Sequence, residues 1–109
     1  TQEQIDNLLR QNKNILVSIT PNWSYTARLN EIITFNSYSI ERLKKKYNLE
    51  YISIKTPYVS PQILKYINSY NRYDIPIYVL YTINTNKGIV LPNIIKDSEL
   101  EKTIRNFII

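Results

Sequence analysis

The sequence predicts a single α/β domain spanning residues 1–109, with a central mixed sheet of about four strands and helices on both faces. Stretches with helical spacing of apolar residues alternate with short β-prone runs. Their order combines a helical crossover, which favours parallel pairing, with a hairpin and a helix at the C-terminal end. A chain of this length buries about 65% of its unfolded surface, which is enough for a hydrophobic core without disulfides.

The chain starts with a helix and a buried strand. Ile5, Leu8 and Leu9 recur at helical spacing and predict the first helix. The apolar run 14–20 predicts a buried strand, and Pro21 is expected to close it.

Two helices are expected before the second strand. The first of them should begin near Ser24, and its apolar side comprises Leu29, Ile32 and Ile33. The next is capped by Ser37 or Ser39, and its apolar residues are Ile40, Leu43 and Tyr47. The lysines at 44–46 lie between these residues and therefore belong mostly to a solvated helix face.

A second strand is predicted at 51–55 and is followed by another helix. Ser60 is a candidate N-cap, and Pro61 occupies the first helical position, where a missing N–H is tolerated. The apolar residues of this helix are Ile63, Leu64 and Ile67.

The C-terminal part predicts a hairpin and a last helix. The β-prone run 76–81 forms one strand, and Gly88, the single glycine, fits a turn that leads into 89–91. Ser98 and Glu101 have the spacing of a capping box, in which the two side chains satisfy the first N–H groups of a helix. The apolar residues of that helix are Leu100, Ile104, Phe107 and Ile108.

Composition excludes most enzyme mechanisms. With no Cys and no His, the chain has no thiolate nucleophile, no disulfide and no imidazole ligand, so we expect neither a metal nor a cofactor. The 9 carboxylates, 14 Lys and Arg and 10 Tyr would each need a strongly shifted pKa to act as a base at pH 7. No stretch approaches the roughly 20 apolar residues of a membrane span. The start lacks Met and resembles no signal peptide, which is typical of a processed or excised domain.

The net charge of +5 makes a nucleic acid or an anionic surface a candidate partner. Tyrosines beside basic residues, as in Lys65-Tyr66 and Arg72-Tyr73, could stack on bases. However, Asn, Ile, Lys and Tyr are frequent throughout the chain, and the densest basic cluster, 44–46, fits a solvated face. Nucleic-acid binding is therefore the alternative interpretation and not the first.

Residues 21–27, Pro-Asn-Trp-Ser-Tyr-Thr-Ala, have the frame of a Trp-Cys-x-x-Cys redox motif without its cysteines. Such a motif needs one thiol at a helix N-terminus, where the dipole lowers its pKa, and a second thiol within a turn. Ser24 and Ala27 occupy the two thiol positions. The frame therefore indicates a fold and an ancestry, and it excludes disulfide exchange.

From about Asn14 onward, the chain resembles the C-terminal periplasmic thioredoxin-like domain of the bacterial thiol:disulfide interchange (DsbD) family. Four segments in the family's order carry the resemblance, namely 22–31, 60–63, 74–81 and 89–92. The most specific is Ile75-Pro76-Ile77-Tyr78 followed by Val90-Leu91-Pro92. The resemblance implies a thioredoxin-like fold and a periplasmic or other extracytoplasmic location, in a domain that could be attached to a membrane protein.

The resemblance also gives a role to each site position. Ser24 stands at the nucleophilic cysteine, Ala27 at the resolving cysteine, and Ser18 at a buried carboxylate that assists proton transfer in the family. The retained substrate-binding positions are Trp23, Tyr25, Ile75 and Pro76, the last being the family's cis-proline. From the residues alone, Ser24 could instead be the N-cap of the following helix, and Trp23 could instead be a half-buried aromatic that packs against the protein.

The departure from the family's motif extends beyond the two thiol positions to position 18. An engineered replacement of two cysteines would leave a carboxylate at position 18, where this chain has Ser18. A naturally cysteine-free homologue is therefore favoured over an engineered variant. Active relatives pass electrons to periplasmic thiol proteins and to cytochrome c maturation. We expect this chain to be redox-inactive and to retain binding of an extended peptide or protein segment, for example from a thiol–disulfide relay protein.

Overall fold

The computed structural model describes residues 2–23, 25–82, 87–93 and 95–108, and within these ranges it leaves out the side chains of residues 2, 25, 26 and 108. The helices of the described residues are α1 (Gln2–Arg10), α2 (Tyr25–Ile33), α3 (Ser37–Tyr47), α4 (Pro61–Asn68) and α5 (Asp97–Ile108). The strands are β1 (Asn14–Pro21), β2 (Leu49–Thr56), β3 (Ile77–Tyr81) and β4 (Ile89–Val90).

The strands form one mixed sheet in the order β2-β1-β3-β4. β1 pairs in parallel with β2 and antiparallel with β3, and β3 pairs antiparallel with β4. Every residue of β1 is buried, and Pro21 is the last residue of the strand, which closes it as predicted. The predicted fold class is confirmed.

Each face of the sheet carries its own hydrophobic cluster, because alternate residues of a strand point to opposite faces. One cluster joins Leu16, Tyr78 and Leu80 of the sheet to α3 and α5. The other joins Ile15, Val17 and further apolar residues of the sheet to α1 and α4. Helices therefore cover both faces, as predicted.

The sequence predicted the N-cap of α4 correctly and the N-cap of α3 incorrectly. Ser60 is the N-cap of α4, and its hydroxyl accepts a hydrogen bond from the backbone N–H of Ile63 at 3.2 Å. The prediction for α3 was wrong, because its N-cap is Asn36 and neither Ser37 nor Ser39. The Asn36 side-chain oxygen accepts from the Ser39 backbone N–H at 3.0 Å, and Asn caps a helix as well as Ser does.

The predicted apolar side of α2 was also wrong. Leu29, Ile32 and Ile33 are 40%, 67% and 54% exposed. The helix turns its small and polar residues inward instead, and these are Ala27, Asn30 and, directly after the helix, Thr34.

The predicted capping box at the start of α5 was wrong as well. Ser98 lies inside the helix, and the half-buried Glu101 carboxylate bonds to side chains of α3 instead. It accepts hydrogen bonds from Arg42 Nη2 at 2.6 Å, Tyr47 Oη at 2.8 Å and Lys46 Nζ at 2.9 Å. These three hydrogen bonds hold the pKa of the Glu101 carboxyl well below its usual range, and the bond from Arg42 has the largest effect. Glu101 thus connects α5 to α3.

Gly88 lies against packed side chains. A Cβ at this position would overlap Tyr70 Oη and Val79 Cγ1, so a larger residue does not fit without a shift. The turn that this glycine was predicted to form includes residues 83–86, which lie outside the described residues.

We predict that Glu101 stabilises the protein in a pH-dependent way. Its folded-state pKa lies below the ordinary value of 4.5, so its contribution is present above that pH and is lost as pH falls through the folded-state pKa. Glu101→Gln should lower the Tm by roughly 3 °C at neutral pH, and the difference from wild type should shrink in acid. Circular dichroism melts across this pH range measure it. Glu99→Gln, an exposed change on the same helix, is the control. An equal difference at neutral and acidic pH would contradict this role.

Candidate functional site

The strand register brings the predicted site segments to one edge of the sheet. Ile19 near the end of β1 pairs with Ile77 at the start of β3, and Pro21 pairs with Thr56 at the end of β2. The carboxyl ends of β1 and β2 and the amino end of β3 therefore meet at one edge, here called the carboxyl edge. Trp23 follows β1 at this edge, and Pro76 precedes β3 there.

The segment before β3 forms one part of the site. The peptide bond between Ile75 and Pro76 is cis. Ile75 is buried and Pro76 half-buried, and the Ile75 N–H donates a hydrogen bond to Asp74 Oδ1 at 2.8 Å. An open depression of about 380 Å³ lies here, lined by residues 71–76 and Asn93.

The positions of the family's thiols and carboxylate are only partly described. Ala27 is buried in the first turn of α2, and Ser18 is buried in β1 opposite Tyr78. A methyl group and a hydroxyl thus occupy positions where the resemblance places a thiol and a carboxylate. Ser24 and the Tyr25 side chain lie outside the described residues.

Buried polar contacts fix α2 above the sheet. The Asn30 amide donates to Tyr78 Oη at 3.0 Å and to the Asn93 carbonyl at 2.5 Å. The Thr34 hydroxyl donates to the Ile95 carbonyl. Burial raises the pKa of Tyr78, while the hydrogen bond from Asn30 opposes that rise. Sequence reasoning missed these residues, although Asn30 and Thr34 share one helix face with Ala27.

Three exposed aromatic side chains lie close to the strand ends at the carboxyl edge. Trp23 is 75% exposed, Tyr58 67% and Tyr73 78%. Trp23 follows β1, Tyr58 follows β2, and Tyr73 precedes β3. The Asn22 N–H also donates to the Thr56 carbonyl at 3.1 Å, which holds the ends of β1 and β2 together. The sequence analysis placed only Trp23 at this site and considered Tyr73 only as a residue that could stack on bases, although all three aromatics lie within a few residues of a predicted strand.

The sequence supplies no thiol and no imidazole group to this edge, because it contains no Cys and no His. Among the described residues, no group of three or more carboxylates is placed to hold a metal ion. Burial raises the pKa of Tyr81 and Tyr66, but the Tyr81 end of β3 is opposite the carboxyl edge. In the part of the chain that the structure describes, no helix is long and apolar enough to cross a membrane.

We predict that the Asn30 contacts, and not the aliphatic residues of α2, hold this helix in place. Asn30→Ala leaves the Tyr78 hydroxyl and the Asn93 carbonyl without this donor and should destabilise the protein by about 1–3 kcal/mol. Ile32→Ala on the same helix is the control and should change stability by less than about 0.5 kcal/mol, because Ile32 is mostly exposed. Urea unfolding measures both. A larger loss for Ile32→Ala than for Asn30→Ala would show that the helix packs through its aliphatic side.

Comparison with known proteins supports the fold. No protein-family model and no curated protein sequence matches this chain. Among solved structures, the reduced C-terminal domain of Neisseria meningitidis DsbD superposes with a TM-score of 0.75 at 11% identity, covering 97% of this chain and 92% of that one. A thioredoxin from Thermus thermophilus gives 0.71 at 12% identity, with 96% and 81% covered. Oxidised thioredoxin from Plasmodium falciparum gives 0.59 at 16%, with 100% and 94% covered. The chain has a thioredoxin-like fold.

Proposed function

We propose that this chain is a cysteine-free thioredoxin-like domain that binds an extended segment of a protein partner at its carboxyl edge and exchanges no disulfides. The observation that carries the proposal is the set of exposed aromatic side chains Trp23, Tyr58 and Tyr73 at that edge. Disulfide exchange requires an attacking thiolate, and the sequence contains no thiol.

Exposed aromatic residues near one edge favour a protein partner. Trp and Tyr are enriched in protein interfaces, because they bury a large area with little loss of side-chain freedom. Sheet pairing joins β1 to β3, and the Asn30 contact joins α2 to β3, so these three elements support the edge together. A preorganised aromatic surface loses little entropy on binding.

The depression before β3 suits an extended backbone. Ile75 and Pro76 are among its lining residues, and the Ile75 N–H bonds to the exposed Asp74 carboxylate. An incoming carbonyl could replace that carboxylate when the Asp74 side chain rotates into solvent. Main-chain bonding of this kind supplies affinity in strand addition, and neighbouring side chains supply specificity.

The family likeness adds a partner class and a location to the proposal. The C-terminal domain of DsbD has a similar fold, and the resemblance in sequence motifs points to the same family. On that basis the partner is a protein of a thiol–disulfide relay, and the domain works in the periplasm or another extracytoplasmic compartment, where it could be attached to a membrane protein. The retained site positions remain Trp23, Tyr25, Ile75 and Pro76.

The basic cluster at 44–46 supports nucleic-acid binding less well than the exposed aromatic residues support polypeptide binding. Lys46 lies 2.9 Å from a Glu101 carboxylate oxygen, and Lys44 lies 3.6 Å from Glu41. Phosphate binding by these lysines would have to compete with the carboxylates. The net charge of +5 still allows a weak, salt-sensitive attraction to polyanions.

We predict that an unfolded polypeptide binds at the carboxyl edge. The probe is a reduced and carboxymethylated protein, which presents extended segments without thiols. Trp23 is the single tryptophan, so its fluorescence should shift to shorter wavelength on binding. Tyr58→Ala and Tyr73→Ala should each weaken binding about fivefold or more, as expected for interface aromatics. Phe107→Ala is the control, since that exposed ring lies near the far end of α5.

Salt dependence separates the two candidate functions. Raising salt from about 50 to 200 mM should weaken polypeptide binding less than about threefold, whereas contact with several phosphates would cost orders of magnitude. A single-stranded DNA oligonucleotide is titrated in parallel. DNA binding that is tight, steeply salt-dependent and lost in Lys45→Glu, together with no response of Trp23 to the polypeptide, would overturn the proposed function.

A further inference from the structure

We propose that β2 is the contact edge of a symmetric homodimer, in which the β2 strands of two copies pair antiparallel across a two-fold axis at Ser53. The two sheets then join into one continuous sheet. This surface is the side edge of the sheet and is distinct from the carboxyl edge, so the inference is independent of the proposed function.

The hydrogen-bonding groups of β2 alternate between β1 and the open side. The Asn14 N–H donates to the Asn48 carbonyl, and the Asn22 N–H donates to the Thr56 carbonyl. Even-numbered residues of β2 therefore point their backbone groups at β1, and the odd-numbered ones point outward. These outward residues are Leu49, Tyr51, Ser53 and Lys55. Among the described residues, no further strand lies beside this edge.

The usual protection of an edge strand is weak in β2. Natural edges carry prolines, bulges or outward-reaching lysines that prevent pairing with another chain. β2 contains no proline, and its register with β1 runs without interruption from Leu49 to Thr56. Its one lysine, Lys55, is drawn back onto α2, where its Nζ lies 2.8 Å from a Glu31 carboxylate oxygen. Within the part of the chain that the structure describes, the edge is therefore open from Leu49 to Thr56.

The β2 sequence is complementary to itself in one antiparallel register. With Ser53 opposite its own copy, Tyr51 lies opposite the second copy's Lys55, and each pair of outward residues exchanges both backbone hydrogen bonds. On the other face, Ile52 lies opposite the second copy's Ile54. Both isoleucines are only half-buried in one chain, so pairing would cover them. No like charges face each other in this register.

The helices beside β2 carry opposite charges. An open depression at the start of β2 is lined by Glu3 of α1 together with Ile52, and another at its end is lined by Lys65 of α4 together with Ile54. An antiparallel pair places the start of one β2 against the end of the other. The acidic α1 of one copy thus lies toward the basic α4 of the second copy, twice by symmetry. This complementarity selects a second copy over an unrelated strand.

Sedimentation equilibrium tests the dimer in solution. We expect a reversible monomer–dimer equilibrium below about 500 µM, in the range of a small interface. Ser53→Pro should weaken it at least about tenfold, because it removes the N–H donated across the axis from both copies. Ser53→Ala keeps that N–H and should leave the equilibrium within about threefold. Ser53 is exposed on an edge strand, where proline is tolerated, and thermal melts show whether the variant is folded.

Two further measurements decide the outcome even if Ser53→Pro does not fold. Amide hydrogen exchange of Tyr51, Ser53 and Lys55 should slow as concentration rises, while exchange of Ile52 and Ile54, which point to β1, should not change. Glu3→Lys and Lys65→Glu should each weaken the dimer about fivefold, and their combination should restore it. A monomer at every concentration, an open-ended aggregate, or concentration-dependent protection elsewhere would overturn the proposal.

Discussion

The antiparallel pairing of β1 with β3 is the contact on which the rest of the structure depends. β1 is buried along its whole length and has a strand on either side, so it sets the register of the sheet. Because Ile19 opposes Ile77, the segment after β1 and the segment before β3 leave the sheet at the same edge. A slip of one residue would turn Tyr78 to the other face and remove its contact with Asn30.

The site geometry is maintained without sulfur. α2 is attached through amide and hydroxyl groups of Asn30 and Thr34, which bond to Tyr78 and to carbonyls of the segment after β4. The chain has Ser24 and Ala27 where the resemblance places two cysteines, and the Asn30 contacts that hold α2 against the sheet do not involve those positions. A scaffold of this kind supports binding by shape and aromatic contact, which is the function that we propose.

The order and type of the elements could be predicted from the sequence, because strand runs such as 76–81 and the Ser60–Pro61 helix start are local signals. The side of α2 that faces the core could not be predicted from the sequence. Its buried polar residue Asn30 is satisfied by partners 48 and 63 residues away, and without them the aliphatic residues are the natural choice for the core. Glu101 was misinterpreted for the same reason, since its partner Arg42 is 59 residues distant.

The site was predictable only in part, for a related reason. The motif resemblance located Trp23 and Pro76, because each belongs to a segment with a recognisable local pattern. Tyr58 and Tyr73 carry no such pattern. They belong to the same edge as Trp23 only because β1 runs parallel to β2 and antiparallel to β3, and pairing of that kind is not encoded in any single segment.

The most direct test of this account is the nuclear Overhauser effect between the Hα atoms of Ser18 and Tyr78. These residues form a non-hydrogen-bonded pair in the antiparallel register, in which the two Hα atoms approach closely. We predict a strong cross-peak between them. A strong Hα cross-peak from Ser18 to a residue other than Tyr78, or none to β3 at all, would contradict the register and with it the assembly of the carboxyl edge.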